Sequence, residues 1–420
     1  RDLHSFPTRR SSDLLSISAA RTPFGKFGGG LKSFKAAELG GLAIAEVIKR
    51  AGISPEDVDE MIYGMVLPAG QGQVPARQAS LKGGIPIEKP CLTINKVCGS
   101  ALKAVTLGTQ IIKSGDGSEV ILAGGMESMS NAPYLSDSVR WGARMFNTKM
   151  VDAMVNDGLW CPQYDVHMAV HGGGVAKEYN ISREMQDKWA YRSQMKWAEG
   201  EKNGVFDDER FPVEVKGKKG KVNVVDKDEA PRPDTTLEGL AALPPIFDPE
   251  NTVTAGNAPG TNDGASAVVI MTREKAEELG APILATIKGY AQVARDAKYI
   301  ATVPGLSIKK VMDENNLTID DFDLIEVNEA FAAVPLVSCI GILGMTYEQM
   351  DEKVNVNGSA VAVGHPIGAS GARILMTLIY ELKRRGLKSG ICAICSGMAQ
   401  GDACRSEEHT SELQSHYRIS

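Results

Sequence analysis

Apolar and polar positions repeat one pattern in two distant parts of the chain. Residues 44–59 and 308–323 align without a gap, and in both segments the apolar positions have the spacing of an amphipathic helix. A turn and a capped acidic segment follow the helix, and short apolar runs at 60–63 and 324–327 then predict strands. The repeat predicts that the chain consists of two duplicated halves.

A second pair of segments extends this repeat. Ser100 begins a predicted helix that leads to an apolar strand at 119–123, and Ser370 begins one that leads to a strand at 391–394. Continuous apolar strands that alternate with helices are typical of largely parallel sheets covered by helices, so the expected fold class is α/β. A pseudo-two-fold axis between the halves would bring the starts of these two helices to a shared cleft.

The middle and the ends of the chain lack this rhythm. Residues 126–250 are rich in Met, Trp, Pro and charged residues, which favours a long loop domain that passes over the cleft. We therefore expect an N-terminal half over 14–125 and a C-terminal half over 251–404. Residues 1–13 and 405–420 are rich in Ser, Arg and His without an apolar period, which predicts disordered tails foreign to the fold.

Composition restricts the class of protein. The chain has 420 residues, 43% of them hydrophobic, and can bury one large core or two medium ones. A net charge of -6 argues against a general nucleic-acid binder. The longest apolar run, at 334–345, is too short to cross a membrane, and the apolar stretch at 14–20 is too short and too interrupted by serine for an export signal. We expect no nucleic-acid partner and no membrane partner.

The cysteines indicate a reducing compartment. Seven cysteines in so long a chain are sparse and odd in number, which favours reduced thiols in a cytoplasmic protein over a disulfide framework. Cys392 and Cys395 have the C-x-x-C spacing, but no second pair completes a zinc site. We therefore expect no bound metal.

Two cysteines and a histidine stand in glycine-rich turns. Cys98 precedes a predicted helix, where free backbone N–H groups and the helix dipole stabilise a thiolate and a nearby imidazole such as His365 can activate it. Cys395 stands two residues before Gly397, and a thiol beside a glycine N–H suits proton transfer next to an anion pocket. Together these residues predict acyl transfer through a cysteine thioester.

At these residues the chain resembles the thiolase family over residues 14–403. The matching motifs are 20–25, 95–100, 123–129, 253–257, 262–264, 328–331, 364–371 and 395–397. The resemblance implies a five-layer α-β-α-β-α fold of two duplicated halves plus a loop domain, assembled as a homodimer or homotetramer. It also implies reversible Claisen condensation of two acetyl-CoA molecules to acetoacetyl-CoA and coenzyme A, which is a substrate, so that no cofactor is required.

The resemblance implies a role for each catalytic position. Cys98 would be the acylated nucleophile, His365 the group that activates it, and Cys395 the acid and base. Asn328 would hold a water that forms one oxyanion site with the His365 ring N–H, although an asparagine in a strand-to-helix turn can also act as a cap. The backbone N–H groups of Cys98 and Gly397 would form the other oxyanion site.

Seven further positions match residues with which the family contacts coenzyme A: His167, Met168, Arg232, Phe247, Ala255, Pro259 and Phe331. The resemblance places Met168 beside the pantetheine and acyl group and Arg232 near the nucleotide, where a planar cation suits adenine or phosphate. A lone histidine is more often structural than a ligand, so both readings of His167 stay open. Pro259 stands where many members have a serine.

Three alternatives remain open at the level of the sequence. A broader-chain 3-ketoacyl-CoA thiolase shares all of these motifs, and the altered segment 302–307 leaves the acyl-chain preference undetermined. A β-ketoacyl synthase has the same fold but no counterpart of Cys395, and a lipid-transfer or scaffold protein would not need the complete catalytic set. The turn after Cys395 also departs from the family, because Met398 and Ala399 stand where glycines are common.

Overall fold

The computed structural model describes residues 14–408. Its strands are β1 (Leu14–Arg21), β2 (Gly25–Lys26), β3 (Glu60–Gly64), β4 (Cys91–Ile94), β5 (Val120–Ser128), β6 (Tyr134–Leu135), β7 (Val151–Asp152), β8 (Trp160–Cys161), β9 (Val166–His167), β10 (Val213–Lys216), β11 (Val222–Val225), β12 (Asn262–Thr272), β13 (Ala285–Ala294), β14 (Leu324–Val327), β15 (Ser389–Ser396) and β16 (Gln400–Glu408). Its α-helices are α1 (Ala36–Ala51), α2 (Pro75–Lys82), α3 (Ser100–Ser114), α4 (Ala153–Gly158), α5 (Met168–Glu178), α6 (Arg183–Lys202), α7 (Leu237–Ala241), α8 (Arg273–Leu279), α9 (Val303–Asn315), α10 (Ala333–Leu336), α11 (Tyr347–Lys353), α12 (Ala360–Val363) and α13 (Ser370–Arg385).

The strands of the two halves have matching orders. The main sheet runs β14-β15-β16-β13-β1-β12-β5-β3-β4, with β2 paired to β12. In the N-terminal half β3 lies parallel to β4 and β5, and in the C-terminal half β14 lies parallel to β15. Within the sheet, residues 14–16 of β1 and 285–287 of β13 join the halves in antiparallel pairing.

Helices separate and cover the two halves of the sheet. Helix α1 packs on the outer face of the N-terminal half and α9 on that of the C-terminal half, while α3 and α13 lie between them. Three buried apolar clusters fill the spaces between these layers. The predicted five-layer architecture is confirmed, and it buries the starts of α3 and α13 together at the centre of the molecule.

The duplication is also visible in the ends of the outer helices. Gly52 caps the C-terminus of α1 and Asn316 caps that of α9, and both residues have the left-handed conformation, with φ of 66° and 53°. A short 3-10 turn follows each helix, at Pro55–Asp57 and Ile319–Asp321, and each turn has a capping box. These residue types satisfy the backbone groups that a helix end leaves unpaired, which explains why the same pattern recurs.

The structure corrects two expected boundaries. Strand β12 pairs with β1 and β5, so it completes the N-terminal half rather than opening the C-terminal one at 251. Strand β16 continues to Glu408 between β13 and β15, so the fold does not end at 404. Residues 405–408 have no apolar pattern, but their backbone groups pair with β13 on one side and β15 on the other, and this pairing holds them in the sheet. The remaining tail residues, 1–13 and 409–420, lie outside the described part of the chain.

Residues 129–261 form the loop domain between β5 and β12. Helix α6 and its neighbour α12 attach this domain to the C-terminal half, and α5 packs on the turn at Ala297–Tyr299. Within residues 14–408, the helices are all too short or too polar to span a lipid bilayer.

Candidate active site

Cys98 lies buried in a tight turn immediately before α3. The Asn95 side-chain oxygen accepts a hydrogen bond from the Val97 N–H at 3.0 Å. The Ser100 hydroxyl accepts one from the Lys96 N–H at 2.8 Å and donates to the Val97 carbonyl at 2.7 Å. Val97 is held at φ 46°, a strained conformation for a β-branched residue. The turn therefore fixes the Cys98 side chain at the helix start.

The Cys98 thiol is neutral in this environment. Burial raises the pKa of Cys98 to about 12, while its own backbone N–H and that of Gly397 act in the opposite direction by hydrogen bonding to the sulfur. A Cβ at Gly397 would lie 3.1 Å from the Val97 side chain, so a glycine suits this close approach. The structure thus brings the two predicted N–H donors to one sulfur.

The His365 ring is fixed from two sides. The Asn262 side-chain oxygen accepts the His365 backbone N–H at 2.9 Å. The Ser370 hydroxyl lies 2.6 Å from Nδ1 and donates to the Pro366 carbonyl at 3.0 Å, so Nδ1–H donates to Ser370 and Nε2 carries a lone pair that can accept a hydrogen bond or a proton. Burial, and secondarily the charge of Arg373, lowers the pKa of His365 to about 3. The imidazole is therefore a neutral proton acceptor.

Asn328 lies directly beyond the end of β14 and is fully buried. Its backbone N–H donates to the Ala393 carbonyl at 2.9 Å, which anchors it to β15. Its Nδ2 lies 3.5 Å from His365 Nε2, and its Oδ1 accepts a hydrogen bond from Arg373 Nη2 at 3.3 Å. The amide thus points its donor group at the histidine.

Cys395 is fully buried near the end of β15. Burial raises the pKa of this thiol well above its usual range, and the charge of the Cys98 thiolate would raise it further. Cys395 pairs with Gly401 of β16. A Cβ at Gly401 would collide with the Val303 carbonyl at 2.3 Å, so this glycine lets the start of α9 approach the reactive hairpin.

One cavity of about 700 Å³ leads to these residues. Cys98 and His365 line it, whereas Asn328, Cys395 and Gly397 are not among its lining residues. All seven positions predicted for coenzyme A contacts do line it: His167, Met168, Arg232, Phe247, Ala255, Pro259 and Phe331. The structure therefore brings the predicted contact positions to one cavity that reaches the nucleophile.

His167 has a structural role and also lines the cavity. Its Nδ1 accepts the Ala169 N–H at 3.1 Å, which caps α5, and its ring stacks on Phe247 with centroids 3.8 Å apart. Burial lowers the pKa of His167 to about 4. Because Nδ1 accepts, Nε2 carries the proton of the neutral ring and can donate to a ligand.

The glycines after His171 make room for the cavity wall. A Cβ at Gly172 would lie 2.7 Å from the Phe331 ring, and one at Gly173 would collide with the Asn251 side chain. These glycines thus allow α5 to pack closely on the apolar wall formed by Phe331.

Several residues that support the site were missed by the sequence analysis. Glu127 accepts hydrogen bonds from the backbone N–H groups of Val66, Leu67 and Gly368 at 3.0–3.2 Å, and burial raises its pKa to about 8. This carboxyl group joins the end of β5 to the loop of His365. In the sequence, the only sign that Glu127 supports the site was its position within a motif shared with the family. The same is true of Asn262 and Ser370.

The cavity also has lining residues to which the sequence analysis assigned no role. They are Lys26, Phe27, Met129, Leu159, Glu229, Ala230, Pro231, Ile246, Ala258, Gly260, Thr261, Ile300, Ala330, Val361 and Ile367. Within residues 14–408, His, Cys, Asp and Glu side chains form no group of three that could hold a metal ion.

Comparisons with known proteins agree with this geometry. Residues 15–274 match the thiolase N-terminal domain and residues 281–408 the thiolase C-terminal domain. An acetyl-CoA acetyltransferase from Cupriavidus necator is 48% identical over 395 residues, 93% of this chain and 98% of that protein. A probable acetyl-CoA acetyltransferase from Escherichia coli is 44% identical over 391 residues, 93% of this chain and 98% of that protein. The crystal structure of the Bacillus anthracis acetyl-CoA acetyltransferase matches with a TM-score of 0.91 and 39% identity, covering 95% of this chain and 99% of that chain.

Proposed function

Because this chain belongs to the thiolase family of acyltransferases, we propose that it is an acetyl-CoA C-acetyltransferase that condenses two acetyl-CoA molecules reversibly to acetoacetyl-CoA and coenzyme A. The single observation that carries this proposal is that the Gly397 N–H points at the Cys98 sulfur, and that this sulfur lies in a cavity that His365 also lines. Such a sulfur can attack a thioester whose carbonyl oxygen, once negative, is received by N–H donors.

In the first half-reaction Cys98 becomes acetylated. Its sulfur attacks the acetyl-CoA carbonyl while its proton moves to His365 Nε2, which carries the lone pair because Nδ1–H is bound to Ser370. The N–H groups of Cys98 and Gly397 stabilise the tetrahedral oxyanion, and each such donor contributes roughly 3 kcal/mol. The carbon–sulfur bond to coenzyme A then breaks, and the departing thiolate takes the proton of Cys395. The acetyl-enzyme thus contains a His365 imidazolium and a Cys395 thiolate.

In the second half-reaction this thiolate acts as the base. Cys395 removes a methyl proton from a second acetyl-CoA, and the enolate oxygen receives the Nε2–H of His365 together with a water held by Asn328. The enolate carbon attacks the acetyl group on Cys98 and expels the Cys98 thiolate, which recovers its proton from His365. Every residue returns to its starting protonation state.

The two cysteines provide the test of this proposal. Intact mass spectrometry after addition of acetyl-CoA should show an acetyl adduct on the wild-type protein and none on Cys98→Ala. Cys395→Ala should still form the adduct but lose at least roughly 10²-fold in condensation, because a general base is missing. It should also stop exchanging acetyl-CoA methyl protons with deuterated water. An adduct on Cys98→Ala, or wild-type exchange by Cys395→Ala, would contradict the assignment.

We further propose that the protein works as a cytoplasmic homotetramer or homodimer without a metal or other cofactor. The segment around Trp141, Met145 and Phe146 supports assembly, because these side chains are 77–90% exposed in a single chain. The seven cysteines are all free thiols, which supports a reducing compartment. Cell fractionation and activity after exhaustive chelation test the compartment and the absence of a metal.

A further inference from the structure

Arg373 is a fully buried cation in the first turn of α13, close to the catalytic centre. Its Nη2 donates to the Asn328 side-chain oxygen at 3.3 Å and to the Ser359 hydroxyl at 2.9 Å. Within the described residues, the two remaining nitrogens of the guanidinium, Nε and Nη1, have no hydrogen-bond partner.

The neighbouring carboxyl group does not compensate Arg373 fully. Glu326 lies on β14, two residues before Asn328, and its Oε2 is 3.9 Å from Arg373 Nη1, beyond hydrogen-bond distance. Both groups are buried, and Glu326 Oε2 also has no hydrogen-bond partner in the described chain. A buried ion pair with such geometry contributes little to stability, because desolvation offsets the attraction. Its presence therefore calls for another explanation.

We propose that Arg373 is a positioning residue that orients the Asn328 amide toward the reacting carbonyl. An asparagine amide can rotate by half a turn, which exchanges its oxygen and its NH₂ group. A guanidinium has only donors, so it donates a hydrogen bond to the amide oxygen and repels the NH₂ group. With Oδ1 held by Arg373, the Nδ2 donor must face His365, where the distance is 3.5 Å.

This role rests on the proposed function and assigns Arg373 to one half-reaction only. Enolisation of the second acetyl-CoA needs a donor from Asn328, whereas acetylation of Cys98 relies on the N–H groups of Cys98 and Gly397. Loss of Arg373 lets the amide adopt both orientations, and in the flipped orientation Oδ1 replaces the NH₂ donor that holds the water of the enolate oxyanion site. It should therefore reduce methyl-proton exchange and leave acetylation intact.

The experiment compares Arg373→Met, Asn328→Ala and the double variant in both half-reactions. Acetylation of Cys98 is followed by intact mass, and methyl-proton exchange of acetyl-CoA in deuterated water is followed by NMR. We expect Arg373→Met to acetylate within about twofold of the wild-type rate and to lose about tenfold or more in exchange, a part of the 10²–10³-fold that one oxyanion donor supplies. The double variant should exchange no more slowly than Asn328→Ala, because Arg373 acts through Asn328.

Two further variants separate positioning from a general structural effect. Arg192→Met removes another buried arginine, which binds the Asp351 carboxylate and three backbone carbonyls away from the cavity, and should leave the ratio of the two rates unchanged. Ser359→Ala removes only a neutral hydrogen-bond partner of Arg373. It therefore tests the positioning role even if Arg373→Met does not fold. It should lower exchange by a few-fold at unchanged acetylation.

Three results would overturn the proposal. The first is that Arg373→Met or Ser359→Ala loses acetylation and exchange equally. The second is that the losses of the single variants multiply in the double variant. The third is that a folded Arg373→Met exchanges methyl protons at the wild-type rate. Failure of the proposed function looks different, since the wild-type protein itself would then show no acetyl adduct or no exchange.

Discussion

Cys98 and His365 are both uncharged before substrate binds, although each carries a charge during the reaction. Burial raises the pKa of Cys98 to about 12 and lowers that of His365 to about 3, so neither ionises near neutral pH. A preformed thiolate–imidazolium pair, as in many cysteine enzymes, is therefore absent from the resting protein. In the proposed mechanism, the proton of Cys98 therefore moves to His365 as the sulfur attacks.

This protonation state predicts a distinctive pH dependence. Alkylation of Cys98 by iodoacetamide should accelerate about tenfold per pH unit from pH 6 to 9, because the thiolate fraction grows at that rate as long as the pH lies well below the thiol pKa. Quench-flow labelling with mass spectrometry measures the rate, and Cys98→Ser shows which signal belongs to this cysteine. A plateau below pH 7 would mean that a thiolate–imidazolium pair exists.

The acyl end of the cavity predicts a preference for short chains. Met168 is buried beside Leu159, Ile300 and Phe331 in the cavity wall. We expect a higher kcat/KM for acetoacetyl-CoA than for 3-ketoacyl chains of eight or more carbons. Met168→Ala should raise kcat/KM for six-carbon chains by about tenfold relative to acetoacetyl-CoA, the effect of a methylene or two in an apolar pocket.

Met185→Ala provides the control for this substitution, because Met185 packs against the core and does not line the cavity. Equal kcat/KM values across chain lengths in the wild-type protein would contradict the short-chain prediction. They would place this chain with the broad degradative thiolases.

At the scale of elements, the hairpin between β15 and β16 contains backbone strain next to the base. Met398 and Ala399 have φ of 61° and 47°, in the left-handed region that costs a non-glycine residue about 1–2 kcal/mol. The turn follows Cys395 and Gly397 directly. The strain is therefore located where the reactive thiol and an oxyanion donor are held.

Replacement of Ala399 by glycine should release part of this strain. Ala399→Gly loses a buried methyl group, but it should destabilise the protein by about 1 kcal/mol less than Ala403→Gly, which removes an equally buried methyl from an extended strand. Thermal unfolding of both variants measures the difference. A larger loss of stability at Ala399 than at Ala403 would contradict the strain.

Short motifs explain why most of the site could be predicted from the sequence. Cys98, His365 and Cys395 each stand in a local turn whose residues are adjacent in the chain, so their spacing is visible. Arg373 was not found, because its contact with Asn328 joins residues 45 positions apart and follows no periodic pattern. Strands β12 and β16 were misassigned for a related reason, since backbone pairing rather than apolar side chains determines where they belong.

At the scale of the whole molecule, exposed apolar side chains of the loop domain indicate assembly. Trp141 is 80% and Phe146 is 90% exposed, and large exposed apolar side chains are typical of contact sites between proteins. We expect the wild-type protein to be a tetramer or dimer, and Trp141→Ser with Phe146→Ser to shift it to a smaller species. Light scattering after size exclusion measures the mass of each.

Val224→Ser supplies the matched control for the assembly prediction, because Val224 is 55% exposed on the separate β10–β11 hairpin. It should leave the mass unchanged. A monomeric wild-type protein, or a double variant that retains the wild-type mass, would show that this segment has no part in assembly.

The duplicated architecture has a consequence for the ancestry of the reaction. Cys98 precedes α3 in one half and His365 precedes α13 in the other, and these equivalent helices meet in the central layer. A chain with a single copy could build such a cleft only as a symmetric dimer, with the same residue contributed by both subunits. A chain with two copies is free of that constraint, so the two halves can differ: under the proposed mechanism, one half supplies a nucleophile where the other supplies its proton acceptor.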